Sequence, residues 1–158
     1  MTEAEKVFRT SPIQNDVASG QKIYDIIVVG GGPCGCTAAL YGGRAGLSVL
    51  VVEALAPGGQ MATTDRVDNY PGFPEGIGGF ELAEQMKTGA ERFGAEFVSG
   101  EVKNVELGGK IKKVYTNSKE YWGRSVIAAT GASPRELGLP QERELRGRGV
   151  SYCATCDG

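Results

Sequence analysis

Residues 23–35 read Ile-Tyr-Asp-Ile-Ile-Val-Val-Gly-Gly-Gly-Pro-Cys-Gly, a β-branched run that passes directly into a glycine-rich turn. The run at 23–29 is typical of a strand buried on both faces of a parallel sheet. The stretch at 37–44 predicts a helix, and Leu-Ser-Val-Leu-Val-Val at 47–52 predicts a second buried strand. Strand, glycine turn, helix and strand form one βαβ unit, so the sequence predicts an α/β fold with a parallel sheet.

The remaining residues predict further elements on both sides of this unit. Residues 1–22 are polar and aperiodic, and we expect them to form a flexible extension. The later predicted elements are a long loop at 54–79, a helix at 80–93 with Gly94 as its C-cap, a third parallel strand at 95–98, an antiparallel meander at 102–107, 111–116 and 121–122, and a buried strand at 125–130.

Composition indicates a globular domain and argues against a nucleic-acid-binding or membrane-spanning protein. The 158 residues are 41% hydrophobic and 23% charged, which are values of one globular domain. The net charge is −2 and the basic residues are scattered, so nucleic acid is not an expected partner. No apolar run approaches the roughly 20 residues of a membrane span. The cysteines form two close pairs and the first residues lack the apolar core of a signal peptide, which favours the cytoplasm.

The glycine turn has the spacing of a dinucleotide-binding loop. Gly30 permits a tight turn, Gly32 allows the backbone to approach a pyrophosphate, and Gly35 lets the helix pack closely on the strand. Glu53 ends the second strand, 18 residues after Gly35, where a carboxylate can accept hydrogen bonds from a ribose. The spacing does not separate FAD from NAD, and a glycine turn in a ligand-free α/β fold is the alternative.

The four cysteines permit two interpretations. Cys34 and Cys36 lie at the start of a helix, where side chains two residues apart diverge, and we interpret both as small buried packing residues. A zinc site using all four cysteines has the right number of ligands. It would, however, place metal in a phosphate-binding loop, so no metal site is expected.

Cys153-Ala-Thr-Cys156 is followed by Asp157. Two thiols at this spacing can perform dithiol–disulfide exchange, in which one thiolate attacks and the other resolves, and a neighbouring carboxylate can carry the proton. The alternative is that both are small residues of a terminal tail.

Five segments together resemble one family. They are Gly-Gly-Gly-Pro-Cys-Gly at 30–35, Pro-Gly-Gly-Gln at 57–60, Asp-Asn-Tyr-Pro-Gly at 68–72, Ala-Thr-Gly-Ala-Ser at 129–133 and Ser-Tyr-Cys-Ala-Thr-Cys-Asp-Gly at 151–158. In this combination the chain resembles bacterial-type, low-molecular-weight thioredoxin reductases, class II of the pyridine nucleotide-disulfide oxidoreductases. The flavoprotein subunit of alkyl hydroperoxide reductase shares the layout, but usually has different residues between its cysteines.

The resemblance implies a Rossmann-like FAD-binding domain and a redox disulfide. Cys156 matches the cysteine that receives electrons from the flavin, Cys153 the one that attacks thioredoxin, and Asp157 the proton donor and acceptor. The positions that match the family's FAD-binding residues are Gly30, Gly31, Gly32, Pro33, Gly35, Glu53, Gly59, Gln60, Asn69, Thr130 and Gly131.

The resemblance also implies a division of the chain. Residues 23–131 match the first segment of the FAD-binding domain, and 132–158 match the linker and start of an NADPH domain. The family is about twice as long, and this sequence has no second glycine fingerprint. We therefore expect an N-terminal portion that lacks the NADPH site and does not turn over NADPH alone. The expected partners are thioredoxin or a thioredoxin-like protein, with a homodimer in the full-length family; a non-catalytic FAD- or nucleotide-binding remnant is the alternative.

The sequence departs from the family in its first helix. Cys34 stands where alanine is common, and the nearly isosteric thiol should not prevent FAD binding. Gly42 and Gly43 also replace common alanines, and this pair is expected to soften the helix.

Overall fold

A computed structural model of the chain describes residues 20–146 and 148–153, so most of the expected extension at 1–22 lies outside the described residues. The elements in chain order are β1 (Ile23–Val29), α1 (Pro33–Arg44), β2 (Val49–Glu53), a 3-10 helix (Gly59–Thr63), α2 (Gly79–Glu91), β3 (Glu96–Ser99), β4 (Val102–Glu106), β5 (Lys112–Thr116) and β6 (Glu120–Ala128).

The strands form one six-stranded sheet in the order β3-β2-β1-β6-β5-β4. The first four are parallel to one another, and β5 and β4 continue the sheet as an antiparallel extension of β6. The predicted α/β fold with a parallel sheet and a β-meander is confirmed. Because β1 lies between β2 and β6, the carboxyl ends of these three strands meet at one edge, where ligands bind in open α/β sheets.

Alternate residues of the central strands face two separate cores. Val49 and Val51 pack with Ala39 of α1 and Ala90 of α2, so both helices cover this face. Their neighbours in β2 point the opposite way and pack with Val114 of β5, which is fully buried. Val114 of the meander therefore contributes to the core on the face of the sheet opposite the helices.

The prediction of separate strands at 121–122 and 125–130 is wrong, because both belong to β6. The first half of β6 pairs antiparallel with β5, and the strand also pairs parallel with β1. Gly123 interrupts the β-branched pattern for a packing reason: a Cβ there would lie 2.8 Å from Cγ1 of Ile27. Glycine here marks close side-chain approach and not the end of a strand.

The predicted loop at 54–79 is more ordered than its glycine and proline content indicated. It contains the 3-10 helix, and Val67 and Ile77 form a β-bridge with N–H···O distances of 2.8 and 3.0 Å. These bonds are local pairings that have no periodic sequence signal.

The helix predicted at 80–93 ends earlier than expected. Its last helical residue is Glu91, and Gly94 still terminates it as predicted, because the N–H groups of Gly94 and Ala95 donate to the carbonyls of Glu91 and Ala90 at 2.9 and 3.3 Å. Gly94 has φ of +87° in the turn that leads into β3.

Gly42 and Gly43 allow α1 to pack closely against its neighbours. A Cβ on Gly42 would lie 2.8 Å from Cγ2 of Val49, and one on Gly43 would lie 2.5 Å from the carbonyl oxygen of Phe93. A backbone oxygen cannot rotate away as a side chain can. The glycine pair therefore permits contact between α1, the sheet and the end of α2, in addition to lowering helix propensity.

We predict opposite effects of alanine at two helical glycines. Gly43→Ala should lower the free energy of unfolding by about 1–2 kcal/mol, because the clash with Phe93 outweighs the gain of about 0.5–1 kcal/mol in helix propensity. Gly89→Ala in α2 should raise it by about 0.5–1 kcal/mol, since its Cβ would meet Leu40 at an ordinary 3.5 Å.

Urea denaturation of the full chain, followed by far-UV circular dichroism, measures both effects. If Gly43→Ala were as stabilising as Gly89→Ala, the close packing of α1 on the end of α2 would be refuted.

Candidate functional site

The carboxyl ends of β1, β2 and β6 meet at Gly30. Its N–H donates to the carbonyl oxygen of Val52 at 2.9 Å, and its φ is +102°. A Cβ at this position would lie 2.3 Å from the carbonyl oxygen of Ala129. Only glycine suits this turn, since both the backbone conformation and the neighbouring strand exclude a side chain.

The N-terminus of α1 is open toward one side of this turn. Gly35 packs against the turn itself, because its Cβ would lie 1.9 Å from the Gly30 carbonyl oxygen. A Cβ on Gly32, the N-cap, would meet no protein atom within 4 Å. The first bond of the helix runs from the Cys36 N–H to the Gly32 carbonyl at 2.9 Å. The N–H groups of Gly32, Cys34 and Gly35, with the helix dipole behind them, can therefore bind a phosphate group.

Glu53 lies at the end of β2, against the same turn. Its Oε2 accepts the N–H of Gly31 at 2.6 Å, and its Oε1 accepts the N–H of Leu55 at 3.0 Å. A carboxylate has about four acceptor sites, so each oxygen can still accept a hydrogen bond from a hydroxyl. The half-buried side chain is thus oriented by the backbone and can bind a ribose beside the phosphate position.

The segment at 57–60 packs on the other side of the glycine turn. The N–H of Gly58 donates to the carbonyl of Gly31 at 2.8 Å, and Gly59 approaches Gly32 closely enough that its Cβ would lie 3.7 Å from the Gly32 Cα. Sequence reasoning missed Gly58, although its φ of +103° within Pro-Gly-Gly is a turn signal. The Gln60 amide donates to the carbonyl of Ala132 and so joins this segment to the residues after β6.

The other positions expected on the flavin side are exposed. Thr130 and Gly131 come after Ala129, the first residue beyond β6, whose carbonyl lies against Gly30. Asn69 is exposed in the segment 68–74, which lines a shallow surface depression open to solvent. Among the described residues, no hydrogen bond joins Asn69 to the glycine turn. The positions expected to bind FAD therefore lie around the glycine turn and the end of β6, except Asn69.

The two cysteines of α1 have different environments. Cys36 is 1% exposed and its thiol donates to the Gly31 carbonyl at 3.3 Å. Burial raises its pKa to about 11, and the charge of Glu53 acts in the same direction. Cys34 is exposed, so the expectation that both cysteines are buried is wrong for Cys34. Residues two apart on a helix face different sides, and only one of the pair can face the sheet.

Cys153 is half-buried and disulfide-bonded. Its N–H donates to the hydroxyl oxygen of Ser151 at 3.1 Å, and that hydroxyl donates to the Cys153 carbonyl at 3.1 Å. Cys156 and Asp157 lie outside the described residues.

Sequence reasoning also missed Glu142, a buried residue that precedes Cys153 by 11 positions in the sequence. Its carboxylate accepts the backbone N–H groups of Leu137, Gly138 and Leu139 at 2.8, 2.7 and 3.0 Å, together with the hydroxyl of Tyr152. These donors, the tyrosine first, lower the pKa of Glu142 to about 2 from an ordinary 4.5. Its stabilising effect is therefore fully present above about pH 4.5 and is lost as the pH falls towards 2.

Comparison with known proteins agrees with this geometry. The family model of the pyridine nucleotide-disulphide oxidoreductases matches residues 24–158, from β1 to the last residue of the sequence. The chain belongs to this family. The match includes the glycine turn, Glu53 and the segment that carries Cys153.

Similar proteins include several thioredoxin reductases. The chain is 54% identical to the thioredoxin reductase of Bacillus subtilis over 140 residues, which cover 89% of this chain and 44% of the relative. It is 53% identical to that of Listeria monocytogenes over 142 residues, or 90% of this chain and 44% of the relative. The solved thioredoxin reductase of Streptococcus pyogenes has 47% identity and a TM-score of 0.78, over 85% of this chain and 44% of that one.

The chain thus spans less than half the length of these relatives. None of the helices in the described part of the chain is long and apolar enough to cross a membrane.

The cysteine environments predict unequal reactivity. At pH 8, iodoacetamide should modify Cys36 roughly 100-fold more slowly than an ordinary thiol, because a pKa of about 11 leaves little thiolate. Cys34 is exposed and should be modified first. Timed alkylation of the full chain with peptide mass spectrometry measures both rates.

In guanidinium chloride the two rates should converge, which serves as the control. Equal rates in the native protein would contradict the burial of Cys36 against the glycine turn.

Proposed function

We propose that this chain is the FAD-binding part of a thioredoxin reductase. In this proposal residues 23–131 are the first segment of the FAD-binding domain, and 132–158 begin an NADPH domain that carries the redox disulfide. The observation that carries it is the 54% identity with the Bacillus subtilis enzyme. The sheet ends at Ala128, and no helix or strand follows it in the described residues, which supports a boundary near 131.

The chain offers a site for the adenosine diphosphate part of FAD. The open N-terminus of α1 would bind the pyrophosphate through backbone N–H groups, and Glu53 would accept hydrogen bonds from the ribose hydroxyls. The flavin would lie toward Gln60 and Gly131, beyond the ends of β1 and β6. Asn69 would join this side from the segment at 68–74.

When bound, FAD accepts a hydride from NADPH and supplies two electrons to a disulfide. In this chain Cys156 would receive them, and two protons complete the dithiol of Cys153 and Cys156. The Cys153 thiolate would attack one sulfur of the thioredoxin disulfide and form a mixed disulfide. The Cys156 thiolate would then attack the Cys153 sulfur, so that thioredoxin leaves as a dithiol, and Asp157 would transfer the protons.

This function implies partners and a location. The protein substrate would be thioredoxin or a thioredoxin-like protein, and the full-length protein would form a homodimer. Thiol exchange requires a compartment in which dithiols persist, and this requirement favours the cytoplasm.

FAD binding predicts a specific effect at Gly32. Gly32→Ala should leave the unliganded protein within about 1 kcal/mol of the native stability, because its Cβ meets open space. It should weaken FAD binding by roughly 10-fold or more, since that space is the approach to the pyrophosphate. Gly108→Ala, whose Cβ also meets open space, is the matched control and should bind FAD normally.

Flavin fluorescence titration of the full chain measures these affinities. A Gly32→Ala protein that binds FAD as tightly as the control would contradict the assignment of the pyrophosphate site.

The redox role needs a second measurement on the FAD-loaded chain. Dithiothreitol should reduce the disulfide, and the resulting dithiol should transfer two electrons to the flavin and bleach its visible absorbance. Cys153→Ser should abolish disulfide-mediated bleaching without changing FAD affinity. A yellow protein whose flavin never responds to the dithiol would support the non-catalytic binding unit instead.

A further inference from the structure

Residues 137–152 form a loop whose two ends are bound by one carboxylate; we call it the clasp loop, and Gly147 within it lies outside the described residues. Glu142 is buried, with 4% of its surface exposed. Three donors come from consecutive backbone N–H groups at the start of the loop, and the fourth is the Tyr152 hydroxyl at its end. Compact loops with adjacent ends are frequently functional.

Backbone hydrogen bonds order the middle of the clasp loop, for example from the Val150 N–H to the Leu145 carbonyl at 3.0 Å, whereas Glu142 joins its two ends through a polar contact. Consecutive N–H groups pointing to one place form an anion-binding nest, which Glu142 occupies. The side chains of the nest point outward, with Leu137 and Leu139 being 77% and 61% exposed. Little apolar area therefore compensates if the carboxylate is lost.

The end of the loop is directly connected to the disulfide. Tyr152 precedes Cys153, and its ring lies 5.3 Å below the guanidinium of Arg146. The tyrosine is thus bound at its hydroxyl and at its ring face. Together with the Ser151 hydrogen bonds to Cys153, these contacts limit the positions that the Cys153 backbone can adopt.

We propose that Glu142 is a positioning residue for the redox disulfide, which it holds in place by binding the nest and the Tyr152 hydroxyl at once. The inference rests on the proposed function, in which Cys153 exchanges with thioredoxin. The clasp fixes Cys153 in its disulfide-bonded geometry, so it favours the disulfide over the dithiol and slows attack by small thiols.

Reduction of the disulfide by dithiothreitol in the full chain tests this role. The reagent becomes a cyclic disulfide and two protein thiols form, which are trapped by alkylation and located by mass spectrometry. Tyr152→Phe removes only the hydroxyl, and Glu142→Gln places an amide against backbone donors. Each should accelerate reduction about fivefold or more, because a hydrogen bond to a charged group is lost.

The control is Glu136→Gln. Glu136 lies on the same segment and pairs with Arg143 at 3.1 Å, but it does not bind the nest or Tyr152. Its substitution should change the rate less than twofold, because the pair is exposed. The control thus separates the clasp from a general loss of negative charge near the disulfide.

Equilibration with glutathione buffers distinguishes positioning from a purely structural role. A residue that stabilises oxidised and reduced protein equally would not change this equilibrium, whereas loss of the clasp should shift it about threefold or more toward the dithiol. The Glu142→Gln/Tyr152→Phe double variant should behave like Glu142→Gln alone, since the hydroxyl then has no carboxylate to bind.

Unchanged rates and equilibria in both variants, or equal changes in Glu136→Gln, would overturn the proposal. If Glu142→Gln fails to fold, Tyr152→Phe decides alone. FAD affinity is measured separately in each variant and should not change. A chain that binds no FAD but shows the predicted disulfide effects would refute the proposed function and support the role of Glu142. Normal FAD binding with unchanged disulfide behaviour would support the proposed function and refute the role of Glu142.

Discussion

The contact between α1 and the turn after β1 positions everything else at the candidate site. Gly35 lies so close to the Gly30 carbonyl that a single Cβ would reach 1.9 Å from its oxygen. This approach directs the N-terminus of α1 toward the edge where β1, β2 and β6 end. A larger residue would move the helix away, and with it the N–H groups that can bind phosphate. The close packing of Gly35 on Gly30 is therefore also a condition for binding phosphate at the N-terminus of α1.

Glu53 and Glu142 both bind backbone N–H groups, and the number of acceptor sites that each has left separates their roles. Glu53 accepts one N–H on each oxygen and keeps acceptor sites for a ligand. Glu142 accepts four hydrogen bonds, so nearly all its acceptor sites are used to join residues 137–139 to Tyr152, and few remain for a ligand. The first is therefore suited to binding a ribose, and the second to fixing the residues beside Cys153.

Glycine has two different uses in this fold, which the sequence alone does not distinguish. Gly30 is required by a positive φ and a neighbouring strand. Gly43 and Gly123 lie inside regular elements, where they make room for Phe93 and Ile27. By local propensity alone, Gly43 and Gly123 would be expected only to weaken a helix and a strand. Their physical role depends on residues about 50 and 100 positions away, which no local pattern contains.

The sequence by itself determined the βαβ unit, the bounds of β1, the glycine turn and the position of Glu53. These features follow from residue period, β-branching and glycine spacing, which act over a few neighbouring residues. Only the tertiary structure decided that β6 is one strand, that Cys34 is exposed while Cys36 is buried, and that Glu142 binds both ends of the clasp loop. The first two depend on which strands lie beside these residues once the sheet assembles. The third is a carboxylate that binds N–H groups three to five residues before it and a hydroxyl ten residues after it, a contact that has no periodic signal in the sequence.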